Sequence, residues 1–97
     1  MSLKNVQKKH LRGLAHDLSP VVMIGDKGLT DNVMNEIIIA LEHHELIKVR
    51  IRAERDERVT ITEQIVAATR AEAVQSIGQI LVLFRRNPKQ PRISLPV

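Results

Sequence analysis

The sequence predicts a single compact α/β domain with the element order αβαβαββ, three helices and a mixed four-stranded sheet. Three observations carry that prediction. Leu3, Val6, His10, Leu11 and Leu14 recur at helical spacing. Ile47, Val49, Ile51 and Ala53 alternate strictly with Lys48, Arg50 and Arg52, the signature of a strand with one dry and one wet face. Two apolar runs flank Gly78-Gln79, as in a hairpin. A length of 97 residues suits one core rather than two.

The elements follow in order. The first helix is expected to end between Gly13 and Asp17, with Lys4, Lys8 and Arg12 stacked four apart as a cationic ridge and Lys9 beside them. Pro20 breaks the chain ahead of a short buried strand, Val21 to Ile24. Gly25-Asp26-Lys27-Gly28 forms a loop, after which Thr30 caps a second helix and Asp31 suits its electropositive first turn. Val33, Met34, Ile37, Ile38 and Leu41 give that helix its apolar face, and it should end near His43 or His44. The alternating strand comes next, its basic side expected to face solvent. Glu54 to Arg58 is expected to be a charged turn, with Thr60 or Thr62 capping a third helix that buries Ile61, Ile65, Val66 and Ala68. In the hairpin, Ile80 to Phe84 is apolar enough to be a central strand. Asn87-Pro88 and Gln90-Pro91 end regular structure, leaving a basic, extended tail from about residue 87. The alternation of helix and strand implies a crossover connection.

The charge is uneven. Met1 to His16 carries Lys4, Lys8, Lys9 and Arg12 without an acid, and Arg85 to Val97 carries Arg85, Arg86, Lys89 and Arg92, again without one. All 11 acids lie between, against seven bases. Basic ends on a near-neutral body point to a polyanion partner, the alternative being charge that only solubilises. Cysteine is absent, which excludes a disulfide framework, a thiolate metal site and a thiol nucleophile, and favours a reducing cytoplasm. No run has the length of a membrane span, and the first residues lack a signal-peptide core.

The glycine loop is the most informative motif. Gly25 and Gly28 let a ligand come close to the backbone, Lys27 adds charge, and the following helix N-terminus presents amides to an anion. Such a loop can hold a sugar-phosphate backbone, as the Gly-x-x-Gly of KH domains does. His43 and His44 are adjacent on a helix and so diverge, which argues against a metal site and for residues meeting the last carbonyls. His10 and His16 are read as helix-surface or helix-end residues, and Asp26, Asp31 and Glu36 as capping and surface charges. Nucleophile-elbow and Walker-type signatures are missing, so no enzyme, cofactor or small-molecule substrate is expected. With no Trp or Tyr and a single Phe, RNA contact must rest on phosphates, backbone amides and arginine planes.

Pro20 to Thr30, followed by Ala40 to Val49, resembles a CRM domain (chloroplast RNA splicing and ribosome maturation). Val74 to Arg85 fits the family's closing hairpin, and Gln7 to His16 its first helix. The likeness spans nearly the whole chain, residues 1–97 as one domain, and is strongest with the stand-alone bacterial YhbY proteins. It implies a fold similar to KH domains and to the C-terminal domain of translation initiation factor three. It also implies a cytoplasmic, non-catalytic RNA-binding protein associated with precursors of the large ribosomal subunit. The family's loop carries over onto Gly25, Asp26, Lys27 and Gly28. Phe84 stands where a tyrosine is common, so no phenol hydroxyl acts there. The resulting candidate RNA contacts are that loop, Lys4, Lys8, Lys9, Arg12, Lys48, Arg50, Arg52, Arg85 and Arg86. A module for an acidic protein, or a general nucleic-acid binder, is the alternative.

Overall fold

The structure, a computed structural model, describes residues 2–97. It contains α1 (Asn5–Ala15), β1 (Val22–Ile24), α2 (Asp31–His44), β2 (Leu46–Ile51), α3 (Arg55–Thr69), β3 (Glu72–Ile77) and β4 (Ile80–Phe84), the order the sequence predicts. The four strands form one sheet in the order β1-β2-β4-β3. β1 and β2 are parallel neighbours joined through α2, with Val22 opposite Val49 and Ile24 opposite Ile51. The other two pairings are antiparallel, which makes the sheet mixed and β4 central. Gly78 adopts φ +55° in the two-residue hairpin turn, a conformation that favours glycine.

Each face of the sheet has its own apolar layer. α2 and α3 cover one face, where Ile37, Leu41, Ile61 and Ile65 pack on Val22, Ile24, Ile47, Val49, Ile51, Leu81 and Leu83. On the other, α1 and the C-terminal segment cover Leu46, Val74, Val82 and Phe84 with Leu3, Leu11, Ala15, Ile93 and Leu95. The basic strand therefore has helices on both sides, contrary to the expectation of one fully wet face. It tolerates this because α1 covers only part of the sheet: Arg50 stays exposed, Lys48 is half-buried and Arg52 lies just beyond the strand.

Four local expectations change. The first strand is buried on one side only: Val22 and Ile24 are buried, while Met23, and Val21 just ahead of the strand, are about half exposed. In α1 the buried residues are Leu11 and Ala15, with Leu3 buried just ahead of the helix, while Val6 and Leu14 are about half exposed. A small alanine at the right helical angle outcompetes larger residues one turn-face away. α3 begins at Arg55 with Glu54 as its N-cap residue, so Glu54 to Arg58 is not a turn, and neither Thr60 nor Thr62 caps it. Those two threonines instead bond back to Asp56 O and Arg58 O within the helix. Its buried stripe runs Ile61, Ile65, Thr69, spaced four apart, and leaves Ala68 exposed.

The tail has no helix or strand, yet it folds back onto the domain. Glu45, the one residue between α2 and β2, is fully buried and has φ +61°. Its carboxylate accepts the backbone N–H groups of Asn87 (2.6 Å), Arg92 (2.6 Å) and Ile93 (2.8 Å). Its own N–H donates to Leu41 O, and its carbonyl accepts from Arg85 N. Gln7 adds a bond to Pro96 O at 3.0 Å. Burial pushes the Glu45 carboxyl up, but the three N–H donors and nearby Arg86 outweigh it, and the net displacement is downward.

Replacing Glu45 with Ala should lower stability by about 3 kcal/mol, the scale of one or two charged hydrogen bonds after water takes over the freed N–H groups. A urea titration measures it. Because the folded carboxyl titrates below its unfolded value of about 4.3, its contribution is present above that pH and is lost as pH falls through the folded value. Glu45→Gln should accordingly flatten the loss of stability below about pH 4 relative to the parent protein.

Candidate nucleic-acid interface

The glycine loop leaves β1 at Ile24 and closes as a turn, with Gly28 N–H donating to Gly25 O at 2.9 Å. Gly28 has φ +71°, and a Cβ there would meet nothing within 4 Å. The glycine is thus required by backbone conformation and not by crowding. Thr30 N–H then donates to Gly28 O, and the Thr30 hydroxyl accepts from Val33 N at 3.2 Å, capping α2 as expected. Asp31 occupies the first turn of α2. Asp26 and Lys27 form the exposed tip.

The loop lies at one end of the sheet. Arg52 N–H donates to Ile24 O, which brings Arg52 beside Gly25 and Gly28. A groove of about 440 Å³ runs there, and Asp26, Glu54 and Glu57 line it together with Arg52. That acidic side repels phosphate, so an anion has to approach across Lys27 and the opposite flank of the loop. Arg50 and Lys48 continue from Arg52 back along β2, two residues apart on one face. Lys48 Nζ reaches His16 O at the end of α1 (3.4 Å), and Arg12 lies with Lys48 on the wall of one cavity. Arg12, Lys48 and Arg50 therefore form one basic track that leads toward the loop, while Arg52 lines the acidic groove.

The remaining candidates stand elsewhere. Lys4 is the N-cap residue of α1, its N–H donating to the Gln7 side chain, and Lys8 is half-buried one turn on. Lys9 faces outward with Val6, His10 and Leu14. Arg85 and Arg86 leave β4 at the end of the sheet opposite the loop, because β4 runs antiparallel to β2. There they border a hollow of about 630 Å³ with Glu42 and Lys89. Arg85 is partly engaged, donating to Thr69 O at 3.1 Å and pairing with Glu42 at 3.9 Å. Arg58 is engaged too, donating to Ala53 O at 2.7 Å. Among the described residues, no group of three or more His, Cys, Asp or Glu side chains is close enough to hold a metal ion. Among them, too, no helix is long and apolar enough to cross a membrane.

The chain is similar to known proteins in sequence and in fold. Residues 3–85 match the family model of the CRS1 / YhbY (CRM) domain. A Haemophilus influenzae protein named RNA-binding protein is 50% identical over 96 residues, which cover 98% of this chain and 96% of that protein. Probable RNA-binding protein YqeI of Bacillus subtilis is 37% identical, over 97% of this chain and 99% of its own. The solution structure of SAV1595 from Staphylococcus aureus superimposes with a TM-score of 0.83 at 38% identity, covering 98% of this chain and all of that one.

The two glycines should respond differently to the same substitution. Gly28→Ala forces an L side chain to positive φ and should cost about 1 kcal/mol. Gly25→Ala meets no atom within 4 Å and no positive φ, so it should leave the thermal midpoint unchanged. Thermal denaturation of the two variants measures the difference.

Proposed function

Since the chain belongs to the CRS1 / YhbY (CRM) family, we propose that it is a non-catalytic RNA-binding protein that associates with precursors of the large ribosomal subunit in the cytoplasm and assists their assembly. Its relatives named as RNA-binding proteins support the first part. The observation that carries the mechanism is the basic track from Arg12 through Lys48 to Arg50, which leads toward the glycine loop. Guanidinium and ammonium groups at successive positions neutralise successive phosphates and release counterions. The loop contributes close backbone approach, Lys27 and the amides at the start of α2. With one phenylalanine, buried in β4, the protein has no aromatic platform, and its contacts favour backbone and shape over sequence. Lys4, Lys8 and Lys9 extend the basic surface along α1, and Arg85 and Arg86 form a separate basic pole.

Gly28→Asp tests the loop. Aspartate tolerates positive φ better than most residues, so the fold should survive while added bulk and negative charge oppose phosphate. Binding to structured ribosomal RNA should fall at least tenfold by filter binding. Unchanged affinity in the folded variant would reduce the loop to a turn. Sedimentation of cell extract tests the ribosomal part: the protein should migrate with precursors of the large subunit, and migration only with free protein would overturn it.

Replacing Lys4, Lys8 and Arg12 together by Gln should flatten the dependence of log K on log salt by about 0.7 to 0.9 for each phosphate that is no longer neutralised. Charge reversal at Arg50 should weaken binding more than reversal at Arg70, which is exposed at the end of α3 opposite the glycine loop. Equal effects at the two positions would show that only net charge matters.

A further inference from the structure

α1 stops short of covering its face of the sheet. Beyond its last turn, a row of paired residues crosses all four strands: Met23 beside Arg50, Arg50 beside Ile80, and Ile80 beside Ile77. Paired residues point to the same face, so this row is a strip of apolar side chains interrupted by one arginine. Met23 is 55% and Ile77 63% exposed. The next row toward α1 reads Lys48, Val82, Gln75. Between these rows and the end of α1 lies a cavity of about 220 Å³. Ile77, Ile80 and Val82 form its apolar part, and Arg12, Lys48 and Gln75 its polar part.

We propose that this cavity is a nucleobase pocket that takes one unstacked base of a single-stranded RNA segment, whose backbone follows the track over Arg12, Lys48 and Arg50. The proposal rests on the RNA-binding function above and adds a single-stranded, base-contacting element to it. Size limits the occupant: the volume is below the roughly 300 Å³ at which pockets for whole small molecules begin, and so fits one ring system. The aliphatic wall receives the flat face of a base. The Gln75 amide, half-buried in the cavity wall, offers two donors and an acceptor to a base edge. A guanidinium plane such as that of Arg12 can stack on a base without an aromatic partner. Two cations, no carboxylate, line the wall, which matches a polyanion. Among the described residues, Lys48 makes one long contact, to His16 O, and can turn from it to a phosphate.

Two oligomers of equal phosphate charge test the pocket: a short oligouridylate and the same oligomer built of abasic sugars. The parent protein should bind the abasic oligomer roughly fivefold to tenfold more weakly, the lower end of what one base contact contributes. Ile77→Ala and Gln75→Ala should each shrink that difference while leaving affinity for structured ribosomal RNA unchanged. Gln75→Ala carries the test alone if Ile77→Ala does not fold. Equal binding of the two oligomers, or a difference that both folded variants retain, overturns the pocket and leaves the RNA-binding function standing. Failure of the folded parent protein to bind any RNA overturns both. An oligoglutamate that displaces oligouridylate from the parent protein but not from Gln75→Ala would make this a protein-docking face, and overturns the pocket as well.

Discussion

A buried carboxylate organises this domain. Glu45 makes the whole connection between α2 and β2, and every backbone and side-chain acceptor or donor it possesses is used. A positive φ at a non-glycine residue costs of order 1 to 3 kcal/mol, and burial of a charge costs more unless it is hydrogen-bonded. Three charge-assisted bonds from the tail offset both. The consequence reaches far along the chain, since the donors lie 42, 47 and 48 residues away. Holding Arg92 and Ile93 in place lets Ile93 and Leu95 close the layer that contains Leu3, Leu11 and Ala15. The position of α1 over the sheet, and with it the place of Arg12, depends on that closure.

The same closure explains how a strand with basic residues at its wet positions coexists with helices on both faces. α1 and the tail cover Leu46, Val74, Val82 and Phe84, then stop. Past that edge the sheet stays open, and the strand's cations avoid the cost of burial without a partner. A half-covered sheet is less stabilising than a fully covered one, because Met23 and Ile77 keep apolar surface in water. What it retains is a cationic surface on a rigid element, leading toward a loop that needs positive φ at Gly28. The acidic groove on the other flank of that loop gives the surface polarity, favouring one direction of approach.

Much of this was legible in the residues. Local signals are strongest where one residue type has one physical use. Thr30 before Asp31 marks a helix start, Gly78-Gln79 between apolar runs marks a hairpin, and Gly25 and Gly28 bracket a turn. Signals failed where several residues compete. Thr60 and Thr62 look like caps but bond backward inside α3, because the helix had already begun at Arg55 without any side-chain cap. Val6 and Leu14 look like core, yet Ala15 has the angle that meets the sheet. Glu45 follows His43 and His44 in the chain and carries no local mark of its role.

The sequence by itself determined the element order, the conformation of the glycine loop, the uneven placement of charge and the absence of aromatic platforms. These depend on near neighbours, through backbone sterics, helical and strand periodicity and capping. Tertiary structure decided which cations act together. Arg12 and Lys48 meet because α1 crosses β2, whereas Arg85 and Arg86 are carried to the far end by the antiparallel run of β4. Strand order and register set those distances. Both are products of packing between segments tens of residues apart, which no local pattern of side chains encodes.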